Sequence, residues 1–97
     1  MVIRISDHVA QCYSAADGSV IADLLAPRFA RDEHVTLCFS GITDVTSSFV
    51  NAAIVSFLRT YSADWLKRHI SIQNVTIQSA DLIRRCLSNG ENNLNAA

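Results

Sequence analysis

The chain reads as a small α/β domain with a mostly parallel four-stranded sheet and helices packed on it. Three observations predict this. Runs with strand character recur at Val2 to Ile5, His34 to Ser40 and His69 to Val75, and the segments between them carry apolar residues at helical spacing. Those crossovers are long enough to return the chain in parallel. At 97 residues and 49% hydrophobic, the chain can build one core and has no room for a second domain.

The elements follow in order. Val2-Ile3-Arg4-Ile5 is β-branched and Asp7 follows as a turn residue, so a short strand opens the chain. Val9 to Tyr13 is the second predicted strand. Asp17-Gly18-Ser19 supplies turn and cap chemistry ahead of Val20, Ile21, Leu24 and Leu25, which share one helical face. Pro27 lacks an amide hydrogen and disfavours helical geometry at Ala26, so the helix is expected to end or kink there, with a short second piece carrying Phe29 inward.

In the segment His34 to Ser40, Val35, Leu37 and Phe39 alternate with Thr36 and Cys38. Because Thr36 and Cys38 tolerate burial, this is predicted to be a central strand covered on both faces. Gly41 breaks it, and Ile42 to Val45 connect onward. Ser47 or Thr46 is expected to cap the longest helix, placed at about Ser48 to Tyr61. Its core face is Phe49, Val50, Ala53, Ile54, Phe57, Leu58 and Tyr61; Asn51, Arg59 and Ser62 lie opposite, and Val55 falls on the polar side. Ser62 to Arg68 reads as a polar connection anchored by Trp65 and Leu66, leading into the strand His69 to Val75. Ser79 is expected to start the last helix, with Asp81 complementing its dipole and Leu82, Ile83, Cys86 and Leu87 as inner stripe. Gly90 is expected to stop it. The domain then spans residues 1–90, and 91–97 is expected to be a frayed tail.

Composition excludes several function classes. Eight basic against nine acidic side chains give a net charge of -1, so no overall field draws in phosphate backbones, and nucleic-acid binding is not expected. The apolar runs Val20 to Leu25 and Val50 to Leu58 are too short to cross a bilayer, and the N-terminus, with Arg4 and Asp7 breaking its apolar residues, does not resemble a secretory signal. No membrane association and a cytoplasmic location are the expectation. Cys12, Cys38 and Cys86 are odd in number and far apart, which suits small buried hydrophobes in a reducing compartment.

Chemistry-bearing groups are equally scattered. His8, His34 and His69 have no partner at ligand spacing, so no metal is expected. The cysteines have no histidine in a recognisable constellation, Ser47 has no nearby base or glycine-rich oxyanion turn, and Gly18, Gly41 and Gly90 are isolated. Catalytic residues and cofactors are therefore expected to be absent. Lys67, Arg68, Arg84 and Arg85 read as a solvated basic face.

The segment Val35 to Val50, with its apolar strand, glycine-containing turn and Ser-Ser pair opening a helix, resembles the STAS-like family of unknown function found in bacteria and their mobile elements. It is more distantly similar to the STAS domains of anti-sigma factor antagonists. Asp17-Gly18, Leu24-Leu25-Ala26-Pro27, Ser47-Ser48-Phe49 and Trp65-Leu66-Lys67-Arg68 extend the likeness over about Asp17 to Leu87. The resemblance implies a single STAS-like domain acting as a regulatory protein-binding module. In the antagonists a serine at the helix start is phosphorylated by a partner of the histidine-kinase-like ATPase class, which releases the partner. Ser47 occupies the matching position, with Ser48 as second candidate.

Two residues depart from the antagonist pattern: Thr46 stands where an acid precedes the serine, and Phe49 where a glycine follows. Asn51 and Ala52 replace acids that the STAS-like family often carries. Asp44, Thr46, Ser47 and Asn51 are the expected protein-binding residues. The alternative reading is a non-phosphorylated structural subunit or inhibitor from a mobile element, acting by self-association, as in a homodimer, or by target occlusion.

Overall fold

Three short strands lie in parallel in the order β1-β2-β3: β1 is Val2–Arg4, β2 is Val35–Cys38 and β3 is Ile70–Gln73. The computed structural model describes residues 2–95, and side-chain surroundings over 2–90. Ile3 pairs with Leu37 and Leu37 with Ile72, while Val35 pairs with Ile70. Paired residues share a face of the pleat, so these five side chains form one apolar surface that enters the core. The other surface carries Val2, Arg4, Thr36, Cys38, Ser71 and Gln73. Of these only Cys38 is buried; Val2, Arg4 and Gln73 are exposed, and Thr36 and Ser71 are half-buried.

Helices therefore cover one face, which corrects the expectation that β2 is covered on both. Thr36 and Cys38 suit either environment, so alternation alone does not discriminate. The sheet also has three strands among the described residues and not four. Val9 to Tyr13 contributes one isolated parallel bridge, Cys12 with Val45, and the Cys12 carbonyl accepts the Thr46 amide at 3.0 Å. Its buried residues, Val9 and Cys12, are three apart, a spacing that a strand cannot bury on one face.

Helix α1 spans Ala15–Ala30. Ser14 is its cap, with Oγ accepting the Asp17 amide at 3.2 Å, so Asp17-Gly18-Ser19 lies inside the helix and not in a preceding turn. Ile21, Leu25 and Phe29 follow at intervals of four and are buried. Pro27 does not end this helix. It is exposed, close to the C-terminus, and Arg28 Nη1 donates to the Leu24 carbonyl at 2.7 Å in the turn where proline has no hydrogen to give.

The long helix expected over Ser48 to Tyr61 is divided. Helix α2 covers Ser47–Ala53, Ile54 leaves helical geometry with φ -124° and ψ -53°, and a 3-10 segment follows over Val55–Arg59. Phe49, Val50, Ala53 and Ile54 are buried, whereas Phe57, Leu58 and Tyr61 are half-buried. The expected polar connection is helix α3, Ala63–His69, capped by Ser62, which accepts the Trp65 amide at 3.1 Å and sends Ala63 and Leu66 inward. Phe29 meets Phe57 and Trp65 edge-on at 4.9 and 5.2 Å, and Trp65 stacks on both Tyr61 and His69. His69 is held in turn by Asp32 Oδ1 at 2.8 Å.

Helix α4 covers Ile77–Asn95. Thr76 Oγ1 accepts the Ser79 amide at 3.1 Å, so the helix starts before Ser79. Gly90 does not stop it; helical backbone continues to Asn95. The glycine serves packing, since a β-carbon there would stand 2.5 Å from Val55 Cγ1 and 2.9 Å from Leu58 Cδ1. The tail expected over 91–97 falls where side chains are not described, and residues 96 and 97 lie outside the described residues.

Candidate functional site

Parallel strands gather their C-terminal ends on one edge of the sheet, where ligands and partners of α/β domains usually bind. Here that edge is built from residues 39–46 after β2 and 74–76 after β3. The two loops are tied together by the Phe39 amide, which donates to the Gln73 carbonyl at 2.9 Å. Gly41, at φ +84°, turns the corner, and the Ile42 amide closes it on the Phe39 carbonyl at 2.8 Å. Ile42 and Val45 pack partly against the core, which holds the exposed Asp44 between them.

Asp44 lines two cavities. One, of about 70 Å³, is shared with Gln11 and Tyr13. The other, of about 470 Å³, runs from Thr43 and Asp44 to Thr76 and Gln78 at the start of α4 and to Arg85 further along it. The cleft thus places an acid on one wall and a guanidinium on the other. Nothing in the sequence signalled this wall, because Asp44 and Arg85 are joined only by the fold.

Thr46 is the cap of α2. Its Oγ1 accepts the Phe49 amide at 3.3 Å and donates to the Tyr13 carbonyl at 2.8 Å, so the hydroxyl is engaged within the chain. Ser47 and Ser48 are exposed, and among the described residues neither hydroxyl makes a hydrogen bond. Asn51 is exposed one turn later, four residues after Ser47, and shares its side of the helix. Of the expected protein-binding residues, Ser47 and Asn51 therefore form one surface with Ser48, Asp44 projects from the loop leading to it, and Thr46 stands beneath as support. Phe49 anchors the turn from below, with 1% of its surface exposed.

The buried thiols bordering this region differ in character. Burial pushes the Cys12 thiol up to about 11, with Asp17 adding to the effect, and burial raises Cys86 as well. Cys38 moves the other way: Asn74 Nδ2 donates to its sulfur at 3.3 Å, the Ser40 amide adds a second donor, and both favour the thiolate. Asn74 is positioned for this by its left-handed backbone, φ +56°. Among the described residues there is no group of three metal-ligating side chains. The arrangement offers an exposed hydroxyl pair, an acid and a polar cleft, a surface suited to docking.

A family model described as a STAS-like domain of unknown function matches residues 17–80, from the first turns of α1 to the start of α4. The chain belongs to this STAS-like family, and the matched region contains the whole Gly41 to Ser48 corner. Comparison with curated proteins and with solved structures gave no match. Among the described residues no helix is long and apolar enough to cross a membrane.

Proposed function

We propose that this chain is a regulatory protein-interaction module and not an enzyme, and that its partner docks on Ser47, Ser48 and Asn51 together with Asp44 and the cleft leading to Arg85. The observation that carries this reading is the division of labour at the start of α2. Thr46 caps the helix, which leaves the Ser47 hydroxyl free to face a partner. The resemblance of the Ser47 position to the phosphorylated serine of anti-sigma factor antagonists supports the same surface, and the matched STAS-like region includes it. The partner on this reading is a histidine-kinase-like ATPase or another cytoplasmic regulator that phosphorylates Ser47. A phosphate there adds about two negative charges beside Asp44, enough to expel a docked acidic or apolar surface.

The test pairs Ser47→Asp with Ser47→Ala in pull-downs from the native host, with the intact mass of the recovered chain measured alongside. The Ala form should retain the partner and the Asp form should lose it, and the wild-type chain should carry one phosphate on Ser47. Equal capture by both forms with an unmodified mass removes phosphorylation from the proposal.

A second reading rests on the open sheet face. Purely parallel sheets are ordinarily covered on both sides, and here Val2, Arg4 and Gln73 face outward. A non-phosphorylated subunit or inhibitor would use that face for self-association, as a homodimer, or for target occlusion. Sedimentation of Val2→Glu against wild type tests the self-association form of this reading: loss of a dimer supports it, and a monomer in both forms removes it and leaves target occlusion, which the unmodified mass of a captured complex identifies.

A further inference from the structure

β3 is an edge strand, and its core-facing Ile70 and Ile72 are only half-buried because the helix layer leaves an opening beside them. The opening is a cavity of about 370 Å³ between α3, β3 and α4. Leu66 of α3 and Ile83 and Leu87 of α4 form its walls, with Ile70 and Ile72 as its floor. Leu66, Ile83 and Leu87 are buried at 0%, 2% and 8% exposure, so the walls belong to the packed core. The two remaining contributors from these helices are cations, Lys67 and Arg84. Each directly follows a wall residue in sequence, Leu66 and Ile83, and each is exposed, which sets both charges at the mouth of an aliphatic slot.

This geometry points to a binding site for an alkyl carboxylate, a fatty-acid anion whose chain lies against Ile70, Ile72, Ile83 and Leu87 and whose carboxylate meets Lys67 and Arg84. The volume falls in the range of small-ligand pockets, about 300–1,000 Å³, and the lining has their usual composition of apolar walls with a few polar groups at one end. Charge decides the occupant. Asp81 takes one guanidinium donor of Arg84, but Arg84 retains others, and no ion pair involves Lys67 among the described residues. An anion is therefore attracted, whereas a second copy of the chain docking here by a two-fold contact would bring like charges together. The site shares no residue with the Ser47 surface, and the inference stands independently of the function proposed for it.

Calorimetric titration of the full chain with dodecanoate, below its micelle concentration, tests the assignment. One molecule should bind saturably. Dodecanol, equal in length and uncharged, should bind about tenfold more weakly or worse, and the double variant Lys67→Gln with Arg84→Gln should lose dodecanoate affinity by a similar factor. Ile72→Trp, at a half-buried floor position, should fill the slot and block binding while far-UV circular dichroism stays native; Ile70→Trp serves if that variant does not fold. Ser47→Asp should bind dodecanoate as wild type does. The assignment is overturned by an absence of saturation, by equal affinity for the alcohol, or by a charge-independent titration. It is equally overturned if sedimentation shows a dimer that Ile72→Glu disperses, which makes the occupant a second copy, or if only an acidic apolar peptide binds.

Discussion

Gly18 of α1 lies directly against the backbone of Phe49 in α2. A β-carbon at Gly18 would collide with the Phe49 carbonyl oxygen and stand 2.8 Å from Ala52 Cβ. The absence of a side chain is what lets the two helices cross this closely. On the function proposed above, the contact also braces the docking surface, because the turn it supports is the one presenting Ser47 and Ser48.

Gly18→Ala is accordingly expected to destabilise the fold by about 1–3 kcal/mol, the usual cost of overpacking. The sign is informative, since alanine in an ordinary helix position would stabilise by up to ~1 kcal/mol. Gly90→Ala provides the contrast. Its nearest neighbours are side-chain atoms, Val55 Cγ1 and Leu58 Cδ1, which must shift to admit a β-carbon but are not backbone, so the substitution should destabilise by less than Gly18→Ala does. Urea unfolding of both variants measures this; a Gly18→Ala form as stable as wild type would show that the crossing can open.

Thr46 and Ser47 are adjacent hydroxyl residues with different expected costs. Thr46→Ala removes the cap hydrogen bond and the donation to the Tyr13 carbonyl, and should cost about 1 kcal/mol or more. Ser47→Ala should change stability by less than about 0.5 kcal/mol, as for an exposed side chain with nothing to lose. Reversal of that order in thermal unfolding would place the cap on Ser47.

Thiol reactivity should follow local hydrogen bonding. Donation from Asn74, and then from the Ser40 amide, lowers the Cys38 thiol, so its thiolate appears at lower pH than that of an ordinary cysteine. Cys12, raised to about 11, stays a neutral thiol through the whole neutral and mildly alkaline range. Iodoacetamide labelling followed by peptide mass analysis should therefore find Cys38 modified first as pH rises, and Asn74→Ala should shift its onset to higher pH. Labelling of Cys12 ahead of Cys38 would contradict the assignment.

Phe29 is the hub of the aromatic cluster, touching Phe57, Tyr61 and Trp65 edge-on. Phe29→Ala should cost about 3–5 kcal/mol. That is a large share of the ~5–15 kcal/mol available to a typical domain. Differential calorimetry should show a strongly lowered Tm, whereas Tyr61→Phe, which keeps the ring stacked on Trp65, should lie close to wild type.

The sequence located the corner from Ser40 to Phe49 and its exposed serines, because an apolar strand, a glycine and a hydroxyl pair are local signals that need no distant partner. It misread boundaries wherever a distant contact competes with local preference. Asp17-Gly18 carries turn chemistry, yet Ser14 caps the helix upstream and the glycine is required by α2. Ser62 to Arg68 is polar enough to pass for a connection, yet its two inward residues, Ala63 and Leu66, suffice to seat a helix turn. The cleft wall at Thr76, Gln78 and Arg85 carried no local signal, being some thirty or more residues from Asp44 in the sequence.

What the chain determined by itself is the α/β alternation, the identity of most core residues and the helix start that bears Ser47. Periodicity and capping act over a few residues and survive without knowledge of the partner element. The tertiary structure alone decided how many strands pair, which sheet face stays open, where the helix beyond Ala53 breaks and which cations frame the aliphatic slot. Those outcomes depend on the competition between whole surfaces for burial, and that competition exists only once the elements have met.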